Sequence, residues 1–547
     1  MHQAILHPQT TAHSQRVRSM SFLIAQVASS TPLKLPSIQY SAIGPELIMI
    51  CGGLIVLLIS SLVAKHLSKA VSVTLGVIVG LASLVDSIYL GFHSTSAGAN
   101  KAVLSGAIAI DKFAIFFYAL FSIVAVMTIL VGLDQMNLNR GRTPEFVTLI
   151  LLSTSGAMLM AAAVDLIVLF LGLEILSIAL YVLVAIESNQ PLGKESAIKY
   201  FMLGGFASAI FLYGIALVYG ATGSTNLGQI VTFLSNNLLR SNGVLFAGMA
   251  LMLVGLGFKI SAAPFHFWTP DVYQGAPSPV TGYMAATAKA AGFAGLLRVF
   301  YSGFLNYRSD WIPAVGALAV VTLLVGAVLA VVQTDVKRTL AYSSINQAGF
   351  ILLGLYAATS KGLGASLYYL AIYSVIIVGA FATIGAIQRE LGKEQIVMND
   401  LRGLYRRSPF LAFAFAVLMF AQAGAPLTTG FLAKFNVVLS IVDSGHYPVA
   451  LVAMISAAIA VFFYLRLAIL VYRPAGDEIS DATSDSELVG AMIGGGGSAL
   501  AVDTTTKTSA KVYVSTWVIG FSLVATVVLG IVASPLIDLA NRALPFF

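Results

Sequence analysis

Long apolar runs separated by short polar stretches occupy most of the chain from about residue 40 onwards. A helix needs about 20 mostly apolar residues to cross the roughly 30 Å hydrocarbon core of a membrane. About fourteen runs have this length, to within a few residues: 40–63, 70–91, 108–132, 144–163, 165–186, 197–220, 243–272, 278–301, 312–333, 336–358, 362–388, 408–442, 448–472 and 512–535. Because a helix satisfies its own backbone hydrogen bonds in lipid, the pattern predicts an all-α polytopic membrane protein with about 14 transmembrane helices.

Two of these runs are too long for one span and contain a proline. The run 243–272 is interrupted at Pro264, and the run 408–442 is interrupted at Pro426, which follows Gly424. In lipid, a broken helix is tolerated only where the freed backbone faces protein or water, and in transporters it marks the ion or substrate path. The sequence therefore predicts two broken helices close to a functional site.

The composition supports this interpretation and excludes several classes of function. Of the 547 residues, 58% are hydrophobic and only 10% are charged, whereas soluble proteins have about 25% charged residues. The net charge of +7 is spread between the apolar runs, which excludes the basic patch of a nucleic-acid-binding protein. The single cysteine, Cys51, excludes a disulfide framework and a cysteine-ligated metal centre within this chain. No nucleotide-binding motif follows a strand-like segment.

Lysine and arginine are distributed unevenly between the two sets of alternate loops. Sixteen of the 30 lie on one side, ten lie on the other together with the N-terminal extension, and four lie within apolar runs. In this count Lys337 belongs to the first set and Arg298 to the second. Since cytoplasmic loops have more lysine and arginine, the bias predicts that both termini lie outside, on the periplasmic face of a bacterial inner membrane. The four residues within the runs are Lys259, Lys289, Lys434 and Arg466.

Two segments lack the apolar pattern. Residues 1–39 are predicted to form a flexible N-terminal extension, in which two arginines precede an apolar run, 21–28, that resembles a signal peptide but is too short to span a membrane. A start at Met20 is an open alternative. Residues 473–511 are rich in glycine, serine and acidic residues without periodicity, which is typical of a flexible linker.

Four ionisable residues lie far from the ends of apolar runs: Glu174, Lys259, Lys289 and Lys434. A charged side chain at this depth costs roughly 2.5–3.5 kcal/mol on insertion scales, so such residues usually mark ion or proton pathways. Burial disfavours the charged form and a nearby opposite charge favours it, so a moving charge changes the protonation of its neighbour. The four residues therefore predict a proton relay. The alternative is an ion pair that locks helices together, but three lysines outnumber the one well-centred glutamate.

Other polar residues give weaker signals. His266 and Asp271 are candidates for a proton gate beside the first break, and a hydrogen bond that fixes the loop explains them equally well. Asp86 is interpreted as an interfacial or packing residue. Glu46 is interpreted as a residue at a helix start, where its carboxylate interacts favourably with the helix dipole. Alanine and glycine dominate around Lys289, which permits close helix packing and predicts a narrow file of water rather than an open pore.

The segment from Lys259 to Val280, KISAAPFHFWTPDVYQGAPSPV, resembles the most characteristic segment of the antiporter-like membrane subunits of respiratory complex I. Its core, WTPDVYQGAP, is similar to the subunit N (subunit 2) group of bacterial NADH–quinone oxidoreductases. Three further stretches support the resemblance: DVKRTLAYSSINQAGF at 335–350, DLRGL at 400–404 and GFLAKF at 430–435. The resemblance covers roughly residues 40–475 and the last apolar run.

This resemblance implies a fold and a set of roles. Three helices in 40–142 precede two inverted five-helix repeats, at 143–301 and 302–472, and the last helix lies in 512–547. The family's functional residues correspond to Glu174, Lys259, Lys289 and Lys434. They are, in that order, a glutamate that modulates the protonation of the broken-helix lysine, that lysine itself, a central lysine and a lysine that leads to the exit side. One departure is Gln347, at a place where the family often has histidine. This difference matters because glutamine binds water but does not titrate.

By this resemblance the chain is expected to be a non-redox, proton-translocating subunit in the membrane arm of NADH–quinone oxidoreductase. NADH, FMN, iron–sulfur clusters and quinone are expected in partner subunits of the membrane and peripheral arms, with no cofactor and no metal ion in this chain. Membrane lipid is an expected partner and nucleic acid is not. A subunit of a multisubunit sodium/proton antiporter or of a membrane-bound hydrogenase is the first alternative, and a stand-alone solute transporter is the second.

Overall fold

The structure, a computed structural model, describes residues 39–62, 65–94, 101–136, 142–187, 191–237, 242–474 and 513–545. Within these ranges most residues are helical. The N-terminal extension predicted at 1–39, except Gln39, lies outside the described residues. So does the linker predicted at 473–511, except its first two residues.

The described residues of the first half form eleven α-helices, some of them short. Their bounds are α1 Gly44–Leu62, α2 Lys65–Ser94, α3 Lys112–Gln135, α4 Thr143–Ala162, α5 Leu166–Val184, α6 Pro191–Thr222, α7 Leu227–Asn236, α8 Gly243–Lys259, α9 Trp268–Gly275, α10 Ser278–Tyr283 and α11 Lys289–Leu297. Two π-helical turns, Met284–Ala288 and Arg298–Gly303, lie before and after α11. The chain from α10 to the second π-helical turn is therefore one continuous helical rod with two widened turns.

The described residues of the second half form nine further α-helices. They are α12 Arg308–Val331, α13 Val336–Ala357, α14 Ser360–Leu391, α15 Leu404–Arg407, α16 Pro409–Ala423, α17 Thr429–Asp443, α18 Tyr447–Leu470, α19 Val514–Ile531 and α20 Ser534–Arg542. Short 3-10 helices lie at Tyr40–Ile43, Leu305–Tyr307 and Met398–Leu401. Most residues of α13 and α14 are buried, so these two helices form the centre of the second half.

Ten of the described helices are long and apolar enough to cross a membrane, which confirms a polytopic helical membrane protein. The two over-long runs are split at the predicted places, into α8 and α9 at the first break and into α16 and α17 at the second. Helix α13 is not among the ten, since polar residues occupy much of its length from Lys337 to Gln347. The number of spans and the repeats remain predictions.

A two-stranded antiparallel hairpin interrupts the helical pattern before α3. Its strands are β1 (Lys101–Val103) and β2 (Ile108–Ile110). Strand β2 leads into α3, where the Asp111 side chain caps the helix by accepting a hydrogen bond from Ala114 N at 2.8 Å. A bridge from β2 to Ala163 joins the hairpin to the end of α4. The hairpin thus fixes the start of α3 beside the end of α4.

A buried ion pair joins the start of α3 to the rod that contains α11. Arg298 donates to Asp111 twice, from Nη1 at 2.8 Å and from Nη2 at 2.9 Å, and its Nε donates to Ala161 O at 2.9 Å. The count of loop charges assigned Arg298 to an external loop. This placement is wrong because the side chain is fully buried. A bidentate carboxylate and a backbone carbonyl satisfy the guanidinium inside the protein.

Lys337 is a second cation that the loop count misplaced. It is buried, and its Nζ donates to Ala276 O at 2.5 Å, in the loop between α9 and α10. Lys337 is the second residue of α13. Because helix ends are usually exposed, this position does not indicate a buried side chain. The count of loop charges therefore included buried cations, and the orientation of the termini remains a prediction.

Replacing Arg298 with methionine is expected to destabilise the fold by about 3–5 kcal/mol, because Asp111 loses its guanidinium partner in a buried site. The free energy of unfolding, measured by chemical denaturation in detergent, checks this value. The control is the double variant Arg298→Met with Asp111→Asn, which removes both charges, keeps an oxygen that caps α3, and is expected to recover most of the loss. Equal stability of the single variant and the parent protein would contradict the expectation.

Candidate functional site

The first break follows directly after Lys259, the last residue of α8. Residues 260–267 leave the helical path, and α9 begins at Trp268. At the break, Phe258 O accepts a hydrogen bond from Trp268 Nε1 at 3.1 Å. Protein groups thus satisfy backbone that the break frees, as a non-helical segment at membrane depth requires.

Lys259 is 4% exposed and is bound by two hydroxyls. Its Nζ donates to Ser177 Oγ at 2.9 Å and to Tyr200 OH at 3.3 Å, and it lies 5.7 Å from the centre of the Tyr200 ring. Neutral hydroxyls bind an ammonium less strongly than a carboxylate does. This environment is therefore compatible with both the protonated and the neutral form of the lysine.

Glu174 lies on α5 one turn before Ser177, the residue that binds Lys259. Residues three apart share a helix face, so the glutamate and the serine point to the same side. No salt bridge joins Glu174 to Lys259 among the described residues. The buried Oε1 of Glu174 also has no hydrogen-bond partner among them. The two charges are thus neighbours without direct contact, which disfavours the helix-locking alternative.

Lys289 is 1% exposed and binds the middle of α13. Its Nζ donates to Ser344 O at 2.6 Å and to Ser344 Oγ at 2.5 Å. The same hydroxyl accepts from Tyr373 OH at 2.7 Å, and Lys289 Nζ lies 5.8 Å from the centre of the Tyr373 ring. The central lysine is therefore held by a hydroxyl and a carbonyl, again without a salt bridge to a described carboxylate.

A glycine brings the helices of the first two lysines together. Gly292 lies three residues after Lys289, and a Cβ atom added there would lie 3.3 Å from Lys259 Cγ and 2.9 Å from Ile260 Cγ2. A side chain at this position would push α8 away from α11. The small residues predicted to allow close packing around Lys289 thus place Lys259 against the same helix.

Lys434 lies on α17, after the second break. It is buried, and its Nζ donates to Gln422 O at 2.9 Å and to Ala423 O at 2.8 Å. These are the last two carbonyls of α16, where the helix dipole favours a cation. The Nζ also lies 5.2 Å from the centre of the Phe350 ring. The second break therefore provides the acceptors for the third lysine.

Gln347 joins Lys434 to the middle of α13. Its Nε2 donates to Tyr464 OH at 2.8 Å and to Gln422 O at 3.1 Å, and its Oε1 accepts from Tyr369 OH. Gln422 O is thus bound by both Gln347 and Lys434. The position expected to hold a histidine is at the centre of a buried hydrogen-bond network.

Sequence reasoning missed several residues of this network. Tyr373, Tyr464 and Gln422 lie in largely apolar runs, where an occasional hydroxyl or amide is unremarkable. One signal was available: Ser343 to Gln347, SSINQ, places four polar side chains within one and a half turns of α13. A polar cluster of this kind inside an apolar run indicates a lined path rather than a lipid-facing surface.

His266 and Asp271, the two candidates for a proton gate, lie in different surroundings. His266 is buried, and its Nδ1 has no hydrogen-bond partner among the described residues. Asp271 is partly exposed and forms salt bridges with Lys199 at 2.9 Å and with Arg338 at 2.7 Å. These ion pairs tie α9 to α6 and α13, which favours the loop-fixing interpretation of Asp271.

Glu46 and Asp86 lie among the first three helices. Glu46 is buried and accepts a hydrogen bond from Tyr118 OH on α3. Asp86 lies so close to Gly44 that a Cβ added to the glycine would meet its carboxylate at 2.1 Å. Both carboxylates therefore contribute to packing between α1, α2 and α3.

Comparison with known proteins gives a family match over the same region. A family model described as NADH:quinone oxidoreductase/Mrp antiporter, transmembrane, matches residues 163–460. The chain is 37% identical over 544 residues to NADH-quinone oxidoreductase subunit N of Salinispora arenicola, and the match covers 94% of this chain and 99% of that relative.

Two solved structures contain chains of similar fold. One is a chain of respiratory complex I from Thermus thermophilus with bound aureothin, with a TM-score of 0.69 and 30% identity, over 91% of this chain and 99% of that chain. The other is a chain of the Mrp complex from a Dietzia species, with a TM-score of 0.74 and 21% identity, over 91% and 96%. The second likeness concerns the fold alone.

Replacing Gly424 with alanine is expected to destabilise the second break by about 1–2 kcal/mol, because left-handed backbone is costly for any residue with a Cβ. Gly424 has a φ of +87°, and an added Cβ would lie 3.1 Å from Lys434 Cδ. The midpoint of thermal unfolding in detergent checks this. The control is Gly520→Ala in α19, where an added Cβ meets nothing within 4 Å. A midpoint that falls no further for Gly424→Ala than for Gly520→Ala would contradict the expectation.

Proposed function

The chain belongs to the NADH:quinone oxidoreductase/Mrp antiporter family of membrane proteins, in its subunit N group, and we propose that its buried lysines form the path along which it moves protons. It is a subunit of the proton-translocating membrane arm of respiratory complex I. The function expected from the segment Lys259 to Val280 is thereby confirmed, while the path itself is the proposal.

Electron transfer is assigned to partner subunits in this proposal. An iron–sulfur cluster needs several cysteine ligands, and this chain has only Cys51. NADH, FMN, the clusters and quinone then belong to the other membrane-arm and peripheral-arm subunits with which the chain assembles. The chain contributes the membrane path whose protonation responds to charge movement in those partners.

One observation supports the path above all others. Lys289 binds Ser344 directly, and Lys434 is linked to Gln347 through Gln422 O. Ser344 and Gln347 are three residues apart on α13, a spacing that puts their Cβ atoms about 5–6 Å apart on one helix face. The two lysines are therefore joined by one turn of a buried polar helix.

The contacts support a proposed order of events. Charge movement beside Glu174 changes the protonation of Lys259, whose helix packs against Lys289 at Gly292. Lys289 passes a proton along α13 toward Lys434, which leads to the exit side. None of the three lysines forms a salt bridge with a described carboxylate. Each is therefore free of the strong pairing that would hold its proton permanently.

The energy needed to move one proton across the membrane is similar to that of a pKa change in one buried group. Moving one proton against 100 mV takes about 2.3 kcal/mol. A change of one to two pKa units in a buried group corresponds to about 1.4–2.7 kcal/mol. Rearranging the charge beside one lysine is thus sufficient to drive one transfer, without a large movement of helices.

The proposed architecture has fourteen spans with two inverted five-helix repeats, at 143–301 and 302–472, between the first three helices (40–142) and the last one (512–547). Each proposed repeat contains one broken helix beside a lysine, which supports this division. Both termini are proposed to lie outside, in a bacterial inner membrane.

Replacing Lys259 or Lys289 with alanine is expected to lower proton pumping by an order of magnitude or more, because a positioned proton-transfer group contributes about 10²–10⁴-fold. The variant complex is assayed in inside-out membrane vesicles, where NADH oxidation and acidification of the lumen are recorded together. Replacing external sodium with potassium in the same assay identifies the ion, since a sodium-translocating chain would respond to the exchange.

The matched control is Lys361→Ala. Lys361 is 73% exposed and pairs with Asp443 at 2.8 Å, and an exposed pair of this kind contributes little. Complex assembly is checked by native gel for every variant. A normal ratio of protons to electrons in an assembled Lys289→Ala complex would sink the proposed path.

A further inference from the structure

Tyr464 lies in the buried network between Lys289 and Lys434, and its hydroxyl has three hydrogen-bond partners. It lies on α18, is 0% exposed and accepts from Gln347 Nε2 at 2.8 Å. It also shares a hydrogen bond with Ser343 Oγ and donates weakly to Gln422 Oε1 at 3.4 Å. Its hydroxyl therefore contacts side chains of both α13 and α16.

The side chain at the centre of this network is not titratable. Gln347 occupies the centre of the network, and an amide does not gain or lose a proton near neutral pH. A hydroxyl can accept a proton on oxygen while it gives up its own. Tyr464 OH is the hydroxyl that binds Gln347 from the side of Lys434, whereas Tyr369 OH binds the other end of the amide.

Three consecutive hydrogen bonds connect Lys434 Nζ to Tyr464 OH. Lys434 Nζ lies 2.9 Å from Gln422 O, which lies 3.1 Å from Gln347 Nε2, which lies 2.8 Å from Tyr464 OH. Lys434 Nζ is also 6.0 Å from the centre of the Tyr464 ring. The lysine and the hydroxyl are thus joined through two intervening groups, Gln422 O and the Gln347 amide, and a direct transfer requires rotation of the long lysine side chain.

We propose that the hydroxyl of Tyr464 delivers the proton to Lys434, in the part of the path where Gln347 supplies no titratable group. This inference rests on the proposed proton path. In the transfer, Ser343 gives its hydroxyl proton to the oxygen of Tyr464, and the original O–H bond of Tyr464 breaks as an N–H bond forms on neutral Lys434. Ser343 regains a proton from the side of Lys289, where an N–H bond of the protonated lysine breaks. Tyr464 is unchanged after each transfer, Lys434 gains one proton, and Gln347 holds the hydroxyl in position.

The test is Tyr464→Phe in the assembled complex, in inside-out membrane vesicles energised with NADH. Phenylalanine keeps the ring and removes only the hydroxyl. Proton pumping is expected to slow by roughly tenfold, and its solvent isotope effect in heavy water is expected to rise, because proton transfer becomes the slow step. A purely structural role of the tyrosine would leave the isotope effect unchanged.

The chain offers a matched control in Tyr368→Phe. Tyr368 is as deeply buried as Tyr464, but its hydroxyl has no hydrogen-bond partner among the described residues. Its loss is expected to leave the pumping rate and the isotope effect unchanged. Since both variants remove one buried phenolic oxygen, the comparison separates proton transfer from packing.

The outcomes separate the inference from the function on which it rests. Slow pumping with a raised isotope effect in Tyr464→Phe, and normal pumping in Tyr368→Phe, supports the inference. Normal pumping in Tyr464→Phe, an equal loss in both variants, or a loss with no change in isotope effect overturns it. If Tyr464→Phe pumps normally while Lys434→Ala does not, only the role of Tyr464 fails. If Lys289→Ala and Lys434→Ala also pump normally, the proposed path itself fails.

Discussion

An ammonium group held away from water without a carboxylate in contact with it is the condition on which the rest of this structure depends. Lys259, Lys289 and Lys434 each meet it with hydroxyl and carbonyl oxygens. Carbonyl oxygens become available where a helix ends, because the last turn of a helix has no internal donors. The break after α16 is therefore the source of the ligands of Lys434 as well as an interruption in the chain.

Arg298 shows the opposite solution to the same problem. Its guanidinium is always charged, and Asp111 binds it through two hydrogen bonds in the protein interior. Such a pair fixes two elements to each other, and its charges stay constant. The lysines are bound only by neutral groups, which allow the proton to leave. The fold thus contains two classes of buried cation, one that anchors helices and one whose charge is adjustable.

The sequence indicated the three lysines and Glu174 because a charge within an apolar run is costly in any fold. It also located both breaks, since Pro264 and Pro426 lie in runs too long for one span. It did not indicate Tyr464, because a lone tyrosine in an apolar run has many ordinary explanations. Nor did it indicate the burial of Arg298, whose partner Asp111 is 187 residues away in the chain. Contacts between helices that are distant in sequence require the assembled structure, and the central part of the site consists of such contacts.

The two π-helical turns around α11 separate the orientation of Lys289 from the attachment of its helix. A π-helical turn includes an extra residue, and such turns occur often at functional sites. One turn, Met284–Ala288, precedes Lys289, and the other, Arg298–Gly303, begins at the arginine that binds Asp111. The segment between them is therefore a short cylinder with a wide turn at each end. Lys289 stands at the start of this segment and the anchor to Asp111 follows its end, each beside a widened turn. The contact with Ser344 and the contact with Asp111 are therefore made by separate parts of the rod.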